Sequence, residues 1–189
     1  MTSRSQLSTE ISDFAQRYPQ DQPRCQRFLD FIRAHPDCAH RSLEVGHLTG
    51  AAWLIDPLGD QVLLTHHRKL DRWLQLGGHA DGDLDLAAVA LKEAEEESGL
   101  DQLQLLQPLF DLDDHRIPAR KSDPEHTHYD FRYVIVAHGS LQPKISHESL
   151  DLRWWPVQAL TGQQWDESLN RMARRWLANR ERWLSDPPR

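Results

Sequence analysis

The sequence predicts an α/β domain built around a mixed central sheet, with a helical extension at its N-terminus. Three observations carry that expectation. Strand-like and helix-like runs alternate irregularly, and some strands are joined by tight turns, which points to α/β or α+β packing rather than to an all-parallel repeat. The 189 residues are 39% hydrophobic, enough apolar mass for one ordinary core. No stretch reads as a linker or an internal repeat, and eleven prolines and nine glycines are near average, so nothing is fibrous or low-complexity.

Residues 4–36 read as two helices, broken near Tyr18-Pro19 and ended by His35-Pro36. The second carries an apolar stripe at Phe28, Leu29, Phe31 and Ile32. HLTGAAWLID (47–56) and QVLLTHH (61–67) read as a hairpin turning at Leu58-Gly59-Asp60. RWLQLGGHADGD (72–83) holds a short extended piece and then a glycine- and aspartate-rich loop. DLAAVALKEAEEES (85–98) is the best helix in the chain. Asp83 or Asp85 can cap its start, and Gly99 can supply a left-handed C-terminal cap. LQLLQPLFDLD (103–113) reads as a strand interrupted by Pro108, and 117–126 as a polar loop. THYDFRYVIVAHG (127–139) is a strong alternating strand and LRWWPV (152–157) a short one, with a loop between. The last 25 residues or so form a helix whose Trp165, Leu169, Met172, Trp176 and Trp183 recur at helical spacing, a core stripe to which no chemistry is assigned. Residues 1–40 are read as the helical extension and 41–189 as the domain proper.

The formal net charge of −7 disfavours a nucleic-acid polymer as partner, because polyanions are repelled. A small phosphorylated ligand is still allowed, since local cations can reverse the potential. The only cysteines, Cys25 and Cys38, lack zinc-ligand spacing and read as free thiols. The first twenty residues hold no signal-peptide core, and no run of about 18 apolar residues could span a membrane. The expectation is a cytoplasmic protein, with homodimerisation left open.

The stretch LKEAEEESGL (91–100) concentrates the chemistry. At about 100° per residue, Leu86, Val89 and Ala90 share one helix face. Glu93, Glu96 and Glu97 continue that face, while Glu95 points nearly opposite. A solvated acidic face would lie apart from the apolar one. Here the carboxylates run on from it, where like charges repel by about 0.2–0.5 kcal/mol per exposed pair and more when desolvated. Their position near the helix C-terminus also opposes the dipole, and Lys92 cannot neutralise all three. Hard divalent ions such as Mg²⁺ or Mn²⁺ would remove the penalty.

The interval from Gly78 to Leu100 resembles the signature of the Nudix hydrolases, with its spacing kept throughout. Gly78, Glu93, Ala94, Glu96, Glu97, Gly99 and Leu100 match. Leu84 stands where the signature has Glu, and Lys92 where it has Arg. LQLGGHADGD resembles the loop that precedes the helix in that family. The resemblance implies an α/β/α sandwich with a mixed sheet. It also implies Mg²⁺-dependent hydrolysis of a nucleoside diphosphate linked to another group, such as a sugar nucleotide or a nucleoside triphosphate. It assigns metal binding to Glu93, Glu96 and Glu97 with a backbone carbonyl at Gly78 or His79. It places the general base on a signature glutamate or in a later loop, where Glu148 is the candidate and Asp151 the weaker one. Leu84 removes a carboxylate that supports the loop, which Asp83 or Asp85 could replace. Lys92 keeps the charge but loses the planar fork of arginine. A Nudix-fold module that binds nucleotide without turnover is the alternative, which intact Glu93, Glu96 and Glu97 argue against.

The substrate wall is the least defined part. His66, His67 and His79 flank the glycine loop, and His115, His126 and His128 surround the later strand. Along that strand His126, His128, Asp130 and Arg132 share one face, opposite Tyr129, Phe131, Tyr133 and Ile135. A solvated strand surface, a substrate wall and a histidine-bound transition metal are three readings of that face. Arg68 and Lys69, beside the loop, could steer an anion. The candidate substrate contacts are Arg68, His79, His128 and Arg132.

Overall fold

The computed structural model describes residues 2–119, 124–145 and 149–185. It opens with two helices, α1 (Arg4–Arg17) and α2 (Gln22–Ala34). Ser3 and Gln6 satisfy each other's backbone N–H groups at the start of α1, a reciprocal cap. The break falls where the sequence placed it, as a single 3-10 turn at Pro19–Asp21, because proline cannot donate into a continuing helix.

The sheet follows. Its strands are β1 (Gly46–Ile55), β2 (Gln61–His67), β3 (Arg72–Leu74), β4 (Leu76–His79), β5 (Leu103–Ile117), β6 (His126–Ala137) and β7 (Ser149–Pro156). Helix α3 (Leu86–Ser98) lies between β4 and β5, and α4 (Glu167–Ser185) closes the described chain. The strand order is β3-β2-β1-β6-β5, with β4 also on β1 and β7 on β2. β1 runs parallel to β6 from Gly46 opposite Thr127 to Ile55 opposite Val136. Its other edge is divided: Thr49–Ala52 pair antiparallel with β4, and Ile55 pairs with Val62 of β2. The expected 47–67 hairpin therefore joins only near its turn, and the strands then diverge around β4. All of β1 is buried, as befits a strand covered on both faces.

Alternation along β1 and β6 divides the core in two. Leu48, Ala52, Leu54, Phe131, Tyr133 and Ile135 pack against α1, α2 and α3. Trp53, Ile55, Val134 and Val136 pack against Met172, Trp176 and Trp183 of α4. This is the expected α/β/α sandwich with its helical extension. The tryptophan stripe is core as expected, although α4 begins only at Glu167 and Trp165 precedes it. Both cysteines are buried thiols, and burial pushes their ionisation up. No described helix is long and apolar enough to cross a membrane.

β5 differs from expectation. It is one strand to Ile117, not a strand ending near 113 followed by a loop at 117. Pro108 costs a register shift between Leu106 and Asp111, after which pairing with β6 resumes as far as Ile117 opposite His126. The resumed segment carries a buried ion network. Asp111, fully inaccessible, accepts from Arg132 at 3.2 Å and from Arg171 at 2.8 Å, and also from Arg175. Arg175 also binds Asp21 between α1 and α2, so the network ties the N-terminal helices to β5, β6 and α4.

Removing one member of a buried charge set leaves the others uncompensated. Asp111→Ala is expected to destabilise the fold by about 3–5 kcal/mol, measured by urea denaturation. A loss below about 1 kcal/mol would mean that the network behaves like a surface pair.

Candidate active site on α3

Two glycines, Gly50 and Gly78, allow α3 to lie against the sheet, and a third, Gly77, lets β4 lie close to β1. A Cβ added at Gly50 of β1 would stand 2.8 Å from the Leu86 carbonyl oxygen and 2.9 Å from the Ala90 nitrogen. One at Gly77 would stand 2.7 Å from the Gly50 oxygen. At Gly78 the obstacle is a side chain: Glu93 Cδ would be 2.5 Å away and its Oε2 2.6 Å. The Glu93 carboxylate thus rests on the bare backbone of β4. One turn later, Glu97 Oε2 accepts from the Gly77 N–H at 3.2 Å, and the residue is 8% exposed.

The helix ends frame this contact. Asp85 caps the start by accepting from the Ala88 N–H at 3.1 Å, and Asp83 accepts from the Asp85 N–H at 2.9 Å. Both aspartates are occupied in shaping the turn, while Leu84 packs on the core. Gly99 closes the helix in the left-handed conformation, φ 66°. The wheel reading holds for Glu93, half-buried, and Glu97, buried, and Glu95 is exposed. Glu96 departs from it. Its side chain is 59% exposed and lies 3.6 Å from Lys92, because it sits at the edge of the face, about 80° from the line through Leu86. Two carboxylates are therefore fixed against β4 and a third stands at the rim. An all-oxygen set of this kind fits a hard divalent ion. The Gly78 carbonyl belongs to the same strand as the N–H that holds Glu97.

The candidate substrate contacts separate. Arg68, exposed just beyond β2, donates to the Ser149 carbonyl at 2.9 Å and so reaches the start of β7. His79 ends β4, one residue beyond Gly78, and its ring lies 5.0 Å from that of His47 and 5.2 Å from that of His128. Arg132 is not at a substrate wall. It is 2% exposed and engaged by Asp130 at 2.9 Å, Asp113 at 3.1 Å and Asp111 at 3.2 Å. The alternation along β6 is as expected, but by residue 132 that face has passed under α4. Asp151 lies on β7, 3.1 Å from Arg153. Glu148 lies outside the described residues.

His128 belongs to a histidine cluster on the α4 side of the sheet. Parallel pairing sets His47 directly opposite His128, and His126 stacks on His47 at 5.0 Å. Burial, reinforced by the neighbouring imidazoles, lowers His47 to about 4; burial likewise lowers His128 to about 3. His47 is the member that sequence reasoning missed, since only the long-range β1–β6 register brings it there.

Comparison with known proteins agrees with this geometry. A family model described as a NUDIX domain matches residues 47–177. No curated protein sequence matches. A NUDIX-family hydrolase from Clostridium perfringens is similar in structure, with 26% identity and a TM-score of 0.51 over 67% of this chain and 93% of that one. An Ap4A hydrolase from C. elegans shares the fold at 16% identity and TM-score 0.56, over 71% and 97%. The E. coli dihydroneopterin triphosphate pyrophosphohydrolase does so at 16% and 0.56, over 70% and 95%.

Gly50→Ala sets a methyl against helix backbone that cannot swing aside. The expected result is a loss of about 1–3 kcal/mol in urea denaturation, with α3 displaced from β1. An unchanged midpoint would show that the helix has room to move.

Proposed function

The chain belongs to the Nudix family, and from that premise we propose that it hydrolyses a nucleoside diphosphate linked to a second group, using Mg²⁺ held on α3. The observation that carries the reading is the convergence of Glu93 and Glu97 on the backbone of Gly77 and Gly78. Glu93, Glu96, Glu97 and the Gly78 carbonyl would hold the ion; Mn²⁺ would suit the same oxygens. When bound, the ion neutralises pyrophosphate charge that otherwise repels a nucleophile.

The chain's own groups divide the remaining work. The Gly77 N–H fixes one oxygen of Glu97 and so orients its other oxygen. Glu93 is held by the absence of a side chain at Gly78. Glu96, exposed at the rim, can follow the substrate. Hydrolysis joins a water oxygen to one phosphorus and breaks that phosphorus's bond to the bridging oxygen, releasing two phosphorylated products. We assign removal of the water proton to Glu148, in the segment just before β7. Arg68, which follows β2 and donates to the Ser149 carbonyl at the start of β7, is the cation proposed to meet substrate phosphate. His79, next to Gly78, is proposed to border the same substrate. The nucleoside and the second group are read by surfaces other than α3. Residues 41–189 are proposed as the catalytic domain and 1–40 as its extension.

Two measurements test this reading. Activity on a panel of nucleoside-diphosphate compounds, followed by phosphate detection, is expected to vanish in excess EDTA and return with Mg²⁺; full activity in EDTA would remove the metal from the mechanism. Glu97→Gln retains an acceptor for the Gly77 N–H and should fold normally, yet turnover should fall by about 100-fold or more. Near wild-type kcat would exclude Glu97 from the site.

A further inference from the structure

The histidine cluster lies apart from the carboxylates and is not explained by the pyrophosphatase reading. His47 is 3% exposed, and neither of its ring nitrogens makes a hydrogen bond among the described residues, although the Leu43 carbonyl is near enough to favour its protonated form. A buried polar atom left in that state costs about 1–3 kcal/mol. Such a ring persists where something else takes its lone pair.

The neighbouring rings supply the rest of a ligand set. His126 Nδ1 lies 2.8 Å from the Pro124 carbonyl, which can only accept, so a neutral His126 carries its proton there and its lone pair on Nε2. That Nε2 lies 3.2 Å from Nε2 of His128. A tetrahedral ion with bonds of about 2.0–2.1 Å holds its ligand nitrogens about 3.3–3.4 Å apart, close to this spacing. One ring nitrogen from each of His47, His126 and His128 falls within 4.8 Å of the others. A carbonyl that fixes the tautomer of a ligating imidazole is a common outer partner of metal sites.

We propose that His47, His126 and His128 bind a transition-metal ion of the Zn²⁺ type, at a site separate from the Mg²⁺ carboxylates of α3. Imidazole nitrogens select Zn²⁺, Ni²⁺ or Cu²⁺ over the hard Mg²⁺. The fourth position falls to water. A second grouping, His115, His128 and Asp130, is also compact. It is the weaker one, because Asp130 is already engaged by Arg132 and Thr49. The ion would join the first residue pairs of the parallel β1–β6 ladder.

The test is a Zn²⁺ titration of the chelator-stripped full chain in saturating Mg²⁺, against a competing chromophoric chelator. One Zn²⁺ per chain is expected. His126→Ala, at a half-buried position, should keep the fold by circular dichroism yet weaken Zn²⁺ by about 100-fold or more, and His128→Gln should do the same. Glu97→Gln should leave Zn²⁺ affinity unchanged. No uptake in the presence of Mg²⁺ would overturn the proposal. So would wild-type affinity in His126→Ala, or a loss that follows Glu97→Gln instead.

Discussion

The close approach of α3 to the sheet is the constraint on which the candidate site depends. A helix normally stands off a sheet by the length of the side chains between them. Here Gly50 carries no side chain, so the backbone of α3 meets that of β1, and bare Gly78 receives the Glu93 carboxylate. Only at that distance can Glu93 rest on Gly78 and Glu97 accept from the Gly77 N–H. Acidic side chains near a helix C-terminus are unfavourable in isolation. Fixing two of them against a strand concentrates that unfavourable charge where a cation can use it.

The opposite side of the sheet is organised by charge as well, but for structure. Asp111 is surrounded by Arg132, Arg171 and Arg175, and Arg175 continues to Asp21. The arginines neighbouring Asp113 hold that carboxyl below its ordinary range against a burial effect that raises it. Asp130 is lowered in the same way by Arg132 and the adjacent histidines. Such groups stabilise the fold above the carboxylate range, and that contribution is lost as pH falls through their depressed values. β6 thus changes character along its length, from histidines near its start, through the ion network, to the apolar core beneath α4.

How much of this was legible depends on how local the cause is. Helix α3, its caps at Asp85 and Gly99, and the placement of Glu93 and Glu97 all follow from neighbours within a few residues. Glu96 was read too deep, because a wheel shows direction but not the edge at which packing ends. The polar face of β6 was found from its period, yet period cannot say what covers it. Two of the carboxylates on Arg132, Asp111 and Asp113, come from β5, and two of the arginines on Asp111, Arg171 and Arg175, come from α4, about 60 residues away. The pairing of His47 with His128 spans β1 and β6 in a parallel ladder, for which no turn signal exists in the sequence. The interruption at Pro108 is legible, and the sheet absorbs it as a shift of register, but the continuation of β5 to Ile117 is not.

In the proposed site, bare backbone at Gly78 holds Glu93 where a divalent ion would bind. Gly78→Ala tests it with every carboxylate retained. The added methyl meets the movable end of Glu93, so the fold should survive while that carboxylate is pushed aside. Mn²⁺ binding followed by electron paramagnetic resonance, with Zn²⁺ filling the histidine cluster first, is the direct measurement. The wild type is expected to bind Mn²⁺, and folded Gly78→Ala to bind it about 10-fold or more weakly. Equal Mn²⁺ affinity in the two proteins would contradict it.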